Sequence, residues 1–490
     1  MGILETRQSG RGRRRSAYPW PEEPPSDRDL RAFADAERRP FWTARQSGAP
    51  SCPPLSEPAD ADLAIIGGGL TGLWAAVLAK EDDPARDVVV LEGESIAFGA
   101  SGRNGGFIVS SLTHGIWNGM ARFPEEMPAL ERLGLENFDA VVAALDRYEI
   151  DCDFEPVGEM NVALHSGEVD GLRQEAEALR RFGHEAELFD RERIQAEVAS
   201  PIFEGGIWQR TGAGIVDPAK LCRGLQRVAL GLGVRVHEGT PVTGLEGKPT
   251  GVRLTTASAL LDARRVLIAT SAYPPLLGAM RRRVVPIYEH VLISESLKPE
   301  QLASIGWGRR QGIGTLANKL HYFRLTNDNR ILWGGWDALY YYGSSVRPGL
   351  EQREASMAVL SQQFFTTFPQ LDGIRFSHRW SGVIDTCSRF SVFFGDAFDG
   401  RAVYSVGYTG LGVGATRFGA RVGLDLLAGR ETEATALQFV KRKPIAFPPE
   451  PLRWAGIRFT ANRMAAQDRR GGRRGLWLRL LDRLGLGFDA

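Results

Sequence analysis

The sequence predicts an α/β chain in which a discontinuous, Rossmann-like dinucleotide-binding domain is interrupted by an α+β domain carrying a mixed or antiparallel sheet. Three observations predict it. Asp62–Ile66, Leu70–Lys80 and Asp87–Glu92 read as strand, helix and strand around a glycine turn, a βαβ unit of about 30 residues. The same alternation returns near Pro218 and again near Ala402. Between these stretches the text changes to charged helices and long strand-like runs, as an inserted second domain requires.

In chain order, residues 1–57 form an extension whose prolines break any long element, although Leu30–Arg38 suits a short helix. Trp20, Phe33, Phe41 and Trp42 make it more aromatic than a free linker, so partial docking on the body is expected. The dinucleotide-binding domain is assigned to residues 58–144, 212–275 and 376–430. Its later pieces are a helix from Pro218 through Leu230, strands Val234–His237, Arg265–Thr270 and Ala402–Val406, and a helix ending at Gly429. Residues 145–211 and 276–375 make the second domain. It holds helices Val169–Phe182 and Gln352–Phe368 and strands Gly158–Leu164, Val284–Glu295 and His321–Gly335. Residues 431–490 are a C-terminal extension in which Trp477, Leu480, Leu481 and Leu484 give one apolar helix face beside Arg469, Arg470, Arg473 and Arg474. Packing on the body or a neighbouring subunit, or peripheral contact with a membrane surface, both suit that face.

Bulk composition excludes several classes. With 490 residues, 43% hydrophobic and 24% charged, the chain has the composition of a soluble protein with more than one domain. Sixty Lys and Arg against 59 Asp and Glu leave a net charge of +1, so no global field favours nucleic acid. Cys52, Cys152, Cys222 and Cys387 are widely spaced and lack nearby His pairs, which argues against a disulfide framework or a metal site. A reducing cytoplasm is the expected location. Arg11, Arg13, Arg14 and Arg15 resemble the start of an export signal, but no apolar stretch follows them. No run reaches the roughly 18 apolar residues of a membrane span.

The chemistry concentrates at the first turn. Gly67, Gly69 and Gly72 occupy the three glycine positions of GxGxxG: a tight turn, close approach of a pyrophosphate, and close helix–strand packing. Leu70 and Thr71 open the helix whose amides and dipole face the phosphates. Glu92 ends the next strand, where a carboxylate accepts ribose hydroxyls and repels a 2′-phosphate. A glycine-rich loop follows, containing Gly99, Ala100, Ser101, Arg103, Asn104, Gly105 and Gly106, able to lay amides against an anion or a ring edge.

Strand, GGGLTGLWAA, strand ending in Glu and then GASGRNGGF together resemble the D-amino-acid-oxidase-like FAD enzymes, and most of all their γ-glutamylputrescine oxidoreductase branch. The likeness spans about residues 55–430. It implies FAD as cofactor, with the 99–106 loop along the ribityl chain and isoalloxazine. It further implies flavin contacts at Ala269 and Thr270, at Gly382 within Trp380-Ser381-Gly382, and at Gly407, Gly410, Leu411, Gly412 and Val413. Val242 matches a position whose backbone touches adenine, and a plain core valine suits it nearly as well. Ser271 stands where the family has glycine. Ser381 stands near the family's attachment cysteine and Arg103-Asn104 replace its loop histidine, which implies non-covalent FAD.

The resemblance implies oxidation of a primary or secondary amine, or an amino acid, by hydride transfer from the α-carbon to flavin N5. The imine product then hydrolyses. Tyr288, His290, Tyr322 and Arg324 are the pocket candidates, chosen as residues on second-domain strands. Thr326 fills the position matching the family's carboxylate-clamping Arg, so an amine without an α-carboxylate suits the site at least as well as an amino acid. Oxygen or another carrier takes the electrons, and the oligomeric state stays open. Two alternatives remain: an NAD(P)H-coupled flavoprotein reductase, and an FAD-dependent RNA-modification or non-enzymatic flavin-binding protein. Against the first, Gly312–Ala317 and Gly410–Ala415 match GxGxx(G/A) in letters but lack its strand–turn–helix–strand context.

Overall fold

A computed structural model describes residues 18–46 and 51–487. The arginines at 11–15 lie outside these residues. Strand Ala59–Ile66 is extended and β-branched at its inner end, and its last four residues are buried. It pairs in parallel with Val88–Leu91 on one side and Leu260–Ile268 on the other. The first sheet runs Phe393–Ala397, Ala402–Val406, Leu260–Ile268, Ala59–Ile66, Val88–Leu91, Arg235–His237. An antiparallel hairpin, Gly244–Lys248 and Gly251–Thr255, is attached to Leu260–Ile268.

Helices Leu70–Asp82, Pro218–Gly231 and Gly412–Leu427 cover one face, where Leu73, Val77, Leu225 and Ala420 join Ile65 and Val90 in a dry core. Helix Leu70–Asp82 is buried through eleven consecutive residues, Leu70 to Lys80. A helix apolar all round belongs between layers, which is where this one lies.

The second sheet is mixed and has eight strands: Phe376–Thr386, Val285–Ser294, Ile331–Leu339, His321–Leu325, Gly312–Thr315, Glu159–Ala163, Gly205–Gln209 and Ala186–Phe189. Helix Glu354–Thr367 packs on it with Phe364, Phe368, Trp333 and Phe323 interleaved. Three differences from the sequence expectations stand out. His321–Gly335 is two antiparallel strands, because the polar run from Thr326 to Arg330 turns the chain, with Asn329 at φ 60°. Strand Phe376–Thr386, expected in the first domain, pairs with Val285–Ser294 at the edge of the second sheet. In the C-terminal extension, helix Leu452–Asp468 precedes Leu476–Arg483, and Leu478 is buried while Leu480 and Leu484 are exposed. Trp477 does pack, donating its indole N–H to Thr460 at 3.0 Å.

The described part of the N-terminal extension is docked: Phe33, Phe41 and Trp42 are each 2% exposed. Among the described residues no helix is long and apolar enough to cross a membrane, and the four cysteines are buried and unpaired.

Candidate active site

A single cavity of about 980 Å³ runs from the first glycine turn to the inner face of the second sheet. Gly67, Gly69, Leu70, Thr71 and Glu92 line one end. Gly67 has φ 114°, and a Cβ on it would lie 2.5 Å from the Ala269 carbonyl oxygen, so the turn closes only with glycine. Gly72 is outside the cavity; its Cα faces the Gly67 carbonyl so closely that a Cβ would stand 1.9 Å from that oxygen. Helix Leu70–Asp82 has no side-chain cap, and its Leu70 amide donates to Ser101 Oγ at 2.9 Å.

Glu92 accepts from the amides of Gly68 (2.6 Å) and Glu94 (2.9 Å). Burial nonetheless raises its pKa, because those two donors replace only part of its lost water. Val242, Ala269 and Thr270 also line this end, and Thr270 Oγ1 is buried without a hydrogen-bond partner.

The loop after the second strand contributes Gly99, Ala100, Ser101, Arg103, Asn104 and Gly105 to the wall. Arg103 holds the loop in place: its guanidinium donates to the Phe98 carbonyl (2.8 Å), the Ser381 carbonyl (3.1 Å) and Glu351 (2.6 Å). Gly106 turns away from the cavity beneath Val216 and Arg324. On the opposite wall, Gly382 is joined by Gly410, Leu411, Gly412 and Val413. Gly407 is not in the wall. Its amide donates to the Asp385 carboxylate at 2.6 Å, and this bond sets the turn in which Gly407, Thr409 and Gly410 all have positive φ. Helix Gly412–Leu427 then starts with no side-chain cap and with its positive dipole end toward the cavity. Burial raises Asp385 to about 6 although backbone amides oppose the shift.

Of the four pocket candidates, only Tyr322 lines the cavity. Neighbouring strand residues face opposite sides of a sheet, and that alternation turns Tyr288 and His290 away while Glu289 faces in. Tyr288 accepts the Arg347 amide at 3.1 Å. His290 is fully buried and pushed down to about 4 by desolvation, so its ring is neutral. Arg324 shares the Tyr322 side of its strand, yet Gly106 and Val216 cover it. It donates to their carbonyls at 3.0 and 2.6 Å, and burial lowers it to about 10.

Residues that the sequence does not single out complete the wall: Glu131, Glu159, Asn161, Glu175, His184, Gln209 and Glu289. His184 and Glu131 pair at 2.8 Å. Asn161 donates weakly to Glu175 at 3.3 Å. Burial lifts Glu159 to about 7 with help from Glu175, and burial alone lifts Glu289 to about 7. Their only sequence signal is a carboxylate on a strand otherwise rich in buried apolar residues.

A parallel βαβ sheet, a glycine turn under an uncapped helix, an acid at the next strand end and a second sheet closing the same cavity define a two-domain dinucleotide-dependent oxidoreductase. The family profile described as "FAD dependent oxidoreductase" (DAO) matches residues 62–425, and the chain belongs to that family of FAD-dependent enzymes. It is 32% identical over 382 residues to gamma-glutamylputrescine oxidoreductase of Escherichia coli, across 76% of this chain and 85% of that one. Identity to the probable oxidoreductase OrdL of Haemophilus influenzae is 28% over 399 residues, across 79% of this chain and 88% of the relative. Glycine oxidase from Geobacillus kaustophilus has the same fold, with a TM-score of 0.66 at 19% identity, covering 79% of this chain and 100% of its own.

Proposed function

We propose that this enzyme oxidises an amine lacking an α-carboxylate, with FAD bound non-covalently. One observation carries the reading: among the described residues, neither Arg324, on the Tyr322 side of its strand, nor Arg103, on the facing loop, is free to clamp a carboxylate. Arg324 is spent on two backbone carbonyls, and Arg103 is tied to Glu351. Glu289 faces the same wall, close enough to Tyr322 for its carboxylate to act on the phenol.

The uncapped amides of helix Leu70–Asp82 would hold the pyrophosphate, Glu92 the ribose diol, and the start of helix Gly412–Leu427 the electron-rich edge of the isoalloxazine. Bound there, FAD supplies a hydride acceptor for the carbon next to the amine nitrogen. The chain's own residues orient and desolvate. Glu289 holds the substrate ammonium and accepts the proton that must leave nitrogen before the C–H bond breaks. The Tyr322 ring lies between Gly105 and Gly334, where a Cβ on either glycine would come within 2.9 and 2.5 Å of it, and it confines the substrate carbon. Non-covalent binding is supported by a wall that, among the described residues, contains no cysteine, and by two wall histidines that are already engaged: His114 on the Thr409 carbonyl and His184 on Glu131. Buried free cysteines suit a reducing compartment.

An anaerobic screen of amines and amino acids, read by loss of the oxidised-flavin absorbance, tests the proposal. Amines should bleach the flavin and the matching α-amino acids should not. Bleaching by amino acids alone overturns it.

A further inference from the structure

We infer that the far end of the cavity is a subsite for a second cationic nitrogen, read by Glu159 and Glu175, so that the preferred substrate is a linear amine with a positive charge at each end. The inference rests on the amine-oxidation reading for the chemistry of the near end only. The geometry of the far end is independent of it.

On the cavity face of the second sheet, Tyr322 is in register with Gly314, and Gly314 with Asn161. Two strand spacings therefore separate the tyrosine from Asn161, roughly 10 Å. Glu159 lies two residues along from Asn161 and so on the same face, opposite Gln209. Helix Val169–Arg181 brings Glu175 to the same wall, close enough for its charge to help raise the pKa of Glu159.

The floor between the two ends is kept open by glycine. A Cβ at Gly314 would stand 2.8 Å from Asn161 Oδ1 and would narrow the passage. The site is thus a channel with a carboxylate at the Tyr322 end and a carboxylate pair at the other.

Cationic partners are missing where an ordinary structural acid would have one. Among the described residues, Glu159 makes no side-chain hydrogen bond or ion pair, and Glu175 has only the neutral amide of Asn161. Another wall acid, Glu131, is by contrast satisfied by His184 at 2.8 Å. Two neighbouring carboxylates in a desolvated wall repel each other and are stabilised together by one cation placed between them. A protonated nitrogen on a substrate chain reaching from Tyr322 supplies that cation. A neutral alkyl tail leaves the pair uncompensated, and an anionic tail is repelled.

The test compares a series from 1,2-diaminoethane to 1,8-diaminooctane with n-alkylamines of matched length on the FAD-loaded enzyme. It uses two readouts: calorimetric affinity and anaerobic flavin bleaching. Diamines long enough to span the floor should bind at least about tenfold more tightly than matched monoamines, as expected for a charge-assisted contact. 1,2-Diaminoethane should show no such advantage. Glu159→Gln and Glu175→Gln should each reduce the diamine-to-monoamine ratio, measured as Kd and as kcat/KM, and the ratio itself is insensitive to general loss of fold. Equal affinity for both series, or a ratio unchanged in both variants, overturns the inference even if amines bleach the flavin. Tight diamine binding without bleaching supports the subsite while removing amine oxidation as the reaction.

Discussion

Arg103 and Glu351 meet at 2.6 Å across the junction of the two sheets, the arginine side chain 8% exposed and the glutamate 20%. This pair ties the loop that walls the cavity to the segment ahead of helix Glu354–Thr367. Because Arg103 retains two carbonyl acceptors when Glu351 is lost, Glu351→Gln should cost about 1–2 kcal/mol and Arg103→Met about 2–4 kcal/mol. Thermal denaturation of the FAD-loaded protein measures both. A larger loss for Glu351→Gln than for Arg103→Met would contradict this division of labour.

The glycines of the first turn should separate by phenotype. A Cβ on Gly69 meets only the Ser101 side chain, its rotatable Oγ at 2.7 Å and its Cβ at 3.6 Å, whereas a Cβ on Gly72 meets backbone oxygen at 1.9 Å. Gly69→Val should therefore give a folded, colourless protein, and Gly72→Ala a poorly folded one. Circular dichroism together with flavin absorbance distinguishes the two, and a yellow Gly69→Val protein would mean the pyrophosphate lies elsewhere.

Glu92 is expected to carry part of the FAD affinity through charge-assisted bonds to the ribose. Glu92→Gln should weaken FAD binding by about 1–3 kcal/mol, read by fluorescence titration of the apoprotein. Acid precipitation of the wild-type protein should release all its flavin into the supernatant. Colour left in the pellet would mean that a covalent bond exists.

A pH effect follows from Glu289, whose value rises from the ordinary 4.5 to about 7 on burial. Between those two values the folded chain keeps a proton that the unfolded chain has released, so the contribution of Glu289 to stability is full below 4.5 and is lost as pH rises through about 7. Glu289→Gln removes this dependence. The Tm of the ligand-free variant relative to wild type should therefore climb between pH 5 and pH 8, and a relative fall would reverse the assigned sign.

Nicotinamides should not reduce this flavin. Of the two further glycine matches, Gly312–Thr315 is a strand inside the second sheet, and Gly410–Val413 belongs to the cavity wall itself. Anaerobic mixing with NADH or NADPH should leave the flavin spectrum unchanged over minutes, and rapid bleaching by either would promote the reductase alternative.

The βαβ unit and its acid were legible because they are local: strand, turn and helix signals all fall within one short stretch, and glycine spacing reports backbone geometry directly. At Asn327-Asp328-Asn329, polar residues divide what reads as one strand, because turn chemistry there outweighs the strand propensity on either side. Helix Leu452–Asp468 has little signal in the sequence, because its apolar residues do not gather on one face and only Arg453 and Asp468 are buried. The substrate end was the least legible part. Whether Glu289 or its neighbours Tyr288 and His290 face the cavity depends on strand parity relative to a wall made by distant segments. The burial of Arg324 under Gly106 and Val216 is likewise a tertiary fact with no local signature.

Trp42 donates its indole N–H to the Asn104 carbonyl at 2.9 Å, and with Phe41 it packs among Ala219, Val291, Ile293, Leu332 and Trp380. Every one of those partners is synthesised later than the two aromatics, the last of them more than 330 residues later. The first described segment to leave the ribosome is therefore among the last to find its place. Until Trp380 has emerged, the site for these two large apolar side chains is incomplete, and the nascent enzyme carries them partly uncovered. Chaperone demand during synthesis should accordingly fall when the extension is trimmed, even though Phe41 and Trp42 are buried against the body in the finished protein.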